Sequence, residues 1–191
     1  MTAPVVVDAG WLGRAVLRAA RATLADLPPG DCRGHALHSD DGAMTVCCAV
    51  NTAGHLARAR AADPGDAEYR RWSPAEWAMD DVGHEHFAGI GRRRYAATAG
   101  LGGAAFTEFR DMVYETCVGA LETLVAAGES GGAASGISAA GGGESGTVVV
   151  FAVSGTDEPE RDAAWIRRPN PATGAGRFAR RLGVAAAGGP S

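Results

Sequence analysis

Apolar residues recur at helical spacing in "GWLGRAVLRAARATLADLPPG", where Leu12, Val16, Ala19, Thr23 and Leu27 share one face and Arg14, Arg18 and Arg21 lie on another. The spacing predicts an amphipathic helix stopped by Pro28-Pro29-Gly30, with the arginine stripe as its solvated side. The pattern then changes period. "HALHSDDGAMTVCCAVNT" reads as two short strands around the turn residues Asp40, Asp41 and Gly42, and the second, Met44 to Val50, is apolar on both faces. Such a strand is expected in the middle of a covered sheet. Asn51 or Thr52 then caps a helix through "AGHLARARAA" that ends near Asp63-Pro64-Gly65.

The longest helical pattern is "AAFTEFRDMVYETCVGALETLVAAG", in which Phe106, Phe109, Val113, Cys117, Ala120, Leu121 and Leu124 form the apolar stripe and Gly128 is placed to end it. Arg110 falls inside that stripe, so it either snorkels to solvent or meets a buried carboxylate. "TVVVFAVS" is a further strand apolar on both faces, expected to be central as well. "DEPERDAAWIRR" follows with a capping-box spacing of Asp157 and Glu160 and an early Pro159. Together these elements predict an α+β fold: a small, mostly antiparallel sheet of three or four strands, packed by the long helix and the N-terminal helix. A single domain is expected over residues 1–175, containing a flexible Gly/Ser-rich insert at 129–146. Residues 176–191 are expected to hold one short helix and a disordered tail.

Composition narrows the function classes. The net charge of −4 offers no general attraction to nucleic acid or anionic lipid, and no apolar window reaches membrane-spanning length. The chain therefore reads as soluble and cytoplasmic, with neither nucleic acid nor membrane as a partner. All 18 basic residues are arginine, a bias that a GC-rich genome explains better than selection for anion binding. Cys32, Cys47, Cys48 and Cys117 lack any metal-binding or redox spacing and read as buried free thiols. No phosphate-binding glycine loop, nucleophile elbow or paired Cys/His nucleophile is legible, and no cofactor is expected.

The residues left to carry function cluster in "YRRWSPAEWAMDDVGHEHF". Ser73-Pro74-Ala75-Glu76 spells a helix start, with Ser73 as cap, Pro74 in the first turn and Glu76 reaching back to the Ser73 amide. Trp72 and Trp77 are spaced to staple that start, or in the rarer use to wall a ligand groove. Asp80, Asp81, His84 and His86 are of types that bind divalent metals, though they lack an established zinc spacing, which favours an exposed polar loop. His35 and His38 fall on opposite faces of a strand and read as structural, as does His55. Arg92-Arg93-Arg94 is a charge run of the kind usually solvated.

In order and spelling, "HALHSDDGAMTV", "AVNT", "YRRWSPAEWA", "FTEFRDMVYETCVGALETLVAAG", "VVVFAVSGTDEPE" and "RPNP" resemble a bacterial family of domains of unknown function, DUF4303. The Trp-Ser-Pro-x-Glu-Trp block is the most specific of these parallels. The resemblance implies one α+β domain and transfers no catalytic residue. In style such proteins are similar to immunity and partner-binding proteins encoded beside bacterial toxins. Two readings of function follow. The first is a non-enzymatic protein-interaction module, with the immunity or toxin-neutralising type as one form of it, that meets a protein partner through an acidic surface and the Trp72, Glu76, Trp77 and Arg110 region. The alternative is a small enzyme or a ligand- or metal-binding domain with a pocket between the sheet and the Trp72–His86 segment. A third and purely structural reading pairs Glu76 with Arg110 to tie two helices together.

Overall fold

In the computed structural model, residues 6–28, 31–129, 146–170, 175, 176, 178 and 179 are described. The N-terminal helix α1 runs Ala9–Ala25, capped by Asp8, whose carboxylate accepts the Trp11 amide at 2.8 Å. Its predicted stripe is the buried one: Leu12, Val16, Ala19 and Thr23 all lie inside. Strands β1 (Cys32–Asp40) and β2 (Cys47–Thr52) form the expected antiparallel hairpin, although β2 starts three residues after the expected Met44. Thr52 caps α2 (Ala53–Ala62) by accepting the His55 amide at 3.2 Å. Then come α3 (Ala67–Trp72), α4 (His84–Thr98), α5 (Gly103–Ala126), β3 (Val148–Ser154) and α6 (Pro159–Arg167).

The class is α+β, and the sheet has three strands in the order β2-β1-β3. It is mixed rather than mostly antiparallel, because β3 pairs with β1 in parallel. The helices between β2 and β3 bring the chain back so that β3 enters from the same end as β1, a crossover that a list of elements does not reveal.

The two strands apolar on both faces are not central. β1, the one with histidines and a serine, lies in the middle, and β2 and β3 are the edges. Burial comes from what closes each edge. On β2, Val50 and Met79 exchange backbone hydrogen bonds (2.9 and 3.1 Å) and the Val82 amide donates to the Cys48 carbonyl at 2.8 Å. On β3, the Asn170 side chain acts as one residue of a missing strand: its Oδ1 accepts the Val149 amide at 2.9 Å and its Nδ2 donates to the Val149 carbonyl. Edges closed this way escape open-ended pairing with another chain.

Alternation along the strands sends residues to two different cores. Leu37, Cys48, Val50, Val149, Phe151 and Val153 pack with α1, α4 and α5, and this helix-covered face is the larger core. Ala36, Ala49, Val148 and Val150 meet Trp72, Trp77, Ile166 and Phe178 on the opposite face. A register irregularity between Cys32 and Gly34 turns Cys32 toward the larger core. Tyr114 of α5 ties that core to the hairpin by donating its hydroxyl to the Asp40 carbonyl at 2.8 Å. Gly83 sits at φ +66°, and a Cβ there would fall 2.2 Å from the Thr23 hydroxyl, so only glycine lets the start of α4 approach α1.

The expected capping box at α6 does not form. Glu158, not Asp157, precedes α6 and makes no side-chain cap bond, while Pro159 occupies the first turn as expected. Of the expected insert at 129–146, only Glu129 and Gly146 fall within the described residues, as do only residues 176, 178 and 179 of the C-terminal stretch 176–191.

Candidate functional site

Ser73 to Glu76 does not open an α-helix. Pro74–Glu76 make a single 3₁₀ turn, and Ser73 makes no side-chain cap bond. The turn closes after three residues through Glu76 N–H to the Ser73 carbonyl (3.0 Å) and Trp77 N–H to the Pro74 carbonyl (3.1 Å). Tertiary forces outweigh the local cap signal. Trp72 and Trp77, at 3% and 7% exposure, lie in the core that covers the sheet. Trp72 stacks on Phe178 with ring centroids 5.6 Å apart, and its indole N–H donates to Glu68 at 3.0 Å. Trp77 lies over Gly34, where an added Cβ would come within 2.9 Å of two ring carbons. An α-helix at this point would carry the second ring away from the sheet. His55 holds the turn down by donating from Nε2 to the Glu76 carbonyl at 2.9 Å.

The turn leaves a cleft. Ser73, Pro74 and Ala75 form one wall, and His38 of β1 with Ala152 and Ser154 of β3 forms the other. Its volume of ≈ 360 Å³ falls at the small end of the ~300–1,000 Å³ of ligand clefts. It opens at the carboxyl ends of the two parallel strands, where open sheets commonly receive ligands. Asp80 stands at its edge with its side chain 74% exposed, one carboxylate oxygen 3.1 Å from His38 Nε2. The two groups are close without a directed hydrogen bond, since Nε2 has no acceptor of suitable geometry.

The surroundings of the cleft are acidic. Burial, a hydrogen bond to Asp81 and the charges of Asp81, Asp80 and Asp40 push the Cys47 thiol up to about 12. Asp40 is opposed by its own burial, yet hydrogen bonds from Thr45, Met44 and Gly42 hold its carboxyl below the ordinary range. Asp81 adopts φ +51°, a strained conformation for a residue other than glycine. The four cysteines are free, as expected, and burial raises every thiol pKa, which leaves them poor nucleophiles.

The other candidate residues disperse. Glu76 lies 3.6 Å from Arg70, and Arg110 bonds its neighbour Asp111 at 2.9 and 3.0 Å, so the two have separate partners and the structural pair between them does not form. Arg110 snorkels over the Tyr114 ring. His84 contacts Glu85 at 3.6 Å and His86 meets Asp26 of α1 at 2.9 Å, both well away from the Asp80–His38 pair. Of the four expected metal residues only His86 joins a set with ligand atoms within 4.8 Å of one another, and that set is completed by Asp26 and Glu85.

Two surprises concern charge. Of the Arg92-Arg93-Arg94 run, Arg93 lies over Trp11, and Arg94 is 1% exposed with Nε, Nη1 and Nη2 all lacking acceptors. His35 is equally buried, and loss of hydration lowers its pKa from 6.5 to about 4. His38 was legible as a strand residue but not as part of a site, because its partner arrives from a segment 42 positions later. For Asn170 the sequence offered only the "RPNP" spelling, which does not report a strand-like role for the amide.

No described helix is long and apolar enough to cross a membrane. No curated protein and no solved structure matches the chain. The Ser73–Ala75 wall of the cleft, Trp72 and Trp77, the hairpin and α5 fall within residues 12–136, which match the family model of a domain of unknown function, DUF4303, and the chain belongs to that family.

Proposed function

We propose that the protein is a non-enzymatic binding module that receives a basic side chain of a protein partner in the cleft between the Ser73–Ala75 turn and the carboxyl ends of β1 and β3. The observation that carries this reading is Asp80, an exposed carboxylate at the mouth of a concave, partly apolar cleft, contacted by His38. Asp40 and Asp81 add to the same negative field around Cys47. An ammonium or guanidinium on an aliphatic stem matches both parts: the stem lies along Pro74, Ala75 and Ala152, and the head meets Asp80. A toxin presenting lysine or arginine to an immunity-type protein falls within this class of partner.

The test is a titration of the ¹⁵N-labelled protein with a short Arg/Lys-rich peptide and with its Glu-rich counterpart. The basic peptide is expected to shift Ser73, Ala75, Ala152 and Ser154, with affinity falling as salt rises. Asp80→Asn should weaken it about tenfold, the cost of one charge-assisted contact. Equal response to both peptides, or binding unchanged in Asp80→Asn, overturns the proposal.

A further inference from the structure

The end of α1 and the first turn of α4 bring three side chains of metal-binding type to one point. Asp26 caps the end of α1, and Glu85 and His86 stand in the first turn of α4. The two turns meet closely because Gly83, just before α4, has no Cβ to strike Thr23. His86 Nε2 lies 2.9 Å from Asp26 Oδ2 and 3.8 Å from Glu85 Oε1, and one ligand atom from each residue falls within 4.8 Å of the other two. Metal–ligand bonds of ~2.0–2.2 Å at a tetrahedral angle separate donor atoms by ~3.4 Å. The two imidazole contacts bracket that spacing, so small rotations of the exposed carboxylates would seat an ion among the three groups.

The negative charge at this point is not answered by any arginine. Among the described residues, Asp26 has His86 as its ion-pair partner, and Glu85 has His84 and His86. Arg18 and Arg93 line the adjoining groove between α1 and α4, yet neither pairs with these acids. Arg93 lies instead over Trp11 and donates to the Val6 carbonyl at 3.0 Å. Two carboxylates left to imidazoles are incompletely paired, and a divalent cation completes the pairing. The negative end of α1 favours a cation beside Asp26, while Glu85 offsets the positive end of α4. His86 also lines the groove, of ≈ 540 Å³, so the three groups border open space rather than packed core.

We propose that Asp26, Glu85 and His86 form a binding site for a divalent transition-metal ion of the zinc class. One imidazole nitrogen with two carboxylate oxygens suits zinc better than calcium or magnesium, which favour oxygen donors alone. Three protein ligands leave a fourth position for water or an outside ligand, and the groove gives access to it. The site shares no residue with the acidic cleft and does not rest on the reading given to it.

The experiment is calorimetric and ¹⁵N NMR titration of the full chain at neutral pH with zinc chloride, with calcium chloride as the oxygen-preferring control. Saturable binding of one zinc ion is expected, with amide shifts centred on Asp26, Glu85, His86 and Gly89. Removing a ligand costs at least the ~10–100-fold of a lost outer-shell partner, so Glu85→Gln should weaken zinc more than about tenfold. His86→Gln keeps an amide able to donate to Asp26, so it should melt close to the wild type while weakening zinc as much. Cys47→Ser should leave zinc binding unchanged. Zinc binding that persists in Glu85→Gln and His86→Gln, that is lost in Cys47→Ser, or that calcium matches in affinity overturns the site, as does the absence of saturable binding.

Discussion

The two faces of the sheet are covered in different ways. One lies under α1, α4 and α5, long helices whose apolar stripes bury Leu12, Val16, Val113, Leu121 and Leu124 completely or nearly so. The other lies under short pieces: a six-residue helix, a three-residue turn, α6 and Ala175 with Phe178, and Trp72, Trp77 and Phe178 supply the bulk. Long helices cover their sheet face closely and keep their open groove, of ≈ 540 Å³, on the outside between α1 and α4, but must accept whatever their stripe contains. Large rings on short supports cover the middle of a face and leave its ends open. The acidic cleft accordingly sits at one end of the tryptophan face, while His35 and Arg94, whose side-chain nitrogens lack acceptors, are sealed under the helices.

Four measurements would break or sharpen this contrast. The largest effect is expected from His35. Above pH 6.5 its imidazole is neutral whether folded or unfolded; below that the unfolded chain takes up a proton that the folded chain refuses until about 4. Stability present at neutral pH is therefore lost by about 3 kcal/mol as pH falls across that window. Urea denaturation of the wild type and of His35→Leu should differ in pH slope by that amount, and parallel slopes would show that His35 finds a partner.

Arg94→Met should raise stability by about 2 kcal/mol at neutral pH, because a guanidinium desolvated without acceptors is replaced by an apolar chain of similar length. A loss of stability instead would mean that the carboxylates around Asp40 compensate it through space.

On the tryptophan face, Gly34→Ala should cost about 1–2 kcal/mol by driving a methyl into the Trp77 ring. Adding Trp77→Leu to Gly34→Ala should then cost less than Trp77→Leu alone in the native background. Strict additivity would remove the claim that the ring lies closely on that strand.

The smallest effect belongs to Glu76→Gln. Its contact with Arg70 is solvated on both sides, so the change should stay below about 0.5 kcal/mol by thermal melting. A larger loss would restore a buried role for this carboxylate.

Legibility in the sequence followed the range of the force involved. The stripes of α1 and α5, the hairpin around Asp40–Gly42 and the Thr52 cap were readable because periodicity and capping act within a turn or two of chain. The Ser73 box was misleading for the same reason: it reports only a local preference, and burial of two indoles outweighs one cap of ~1 kcal/mol. Apolar content on both faces of β2 and β3 reported coverage correctly and position wrongly. Edge strands read as central when a side chain such as Asn170 or a passing segment such as Met79 closes their outer hydrogen bonds. In the same way, the arginines adjacent in sequence, Arg92 to Arg94, do not form a patch, because Arg93 lies over Trp11 and Arg94 is buried.

By itself the sequence determined the α+β class, the main helices, the free thiols, three of them buried, and, through the Trp-Ser-Pro-x-Glu-Trp spelling and its neighbours, the family. These are properties of composition, period and short motifs. The tertiary structure alone decided which strand is central, that Trp72 and Trp77 cover a sheet face instead of clamping a helix, and that Asp80 meets His38 at the edge of a cleft. The physical reason is that a cleft and its charge arise where separate elements stop short of one another, and no stretch of chain encodes where its distant neighbours end.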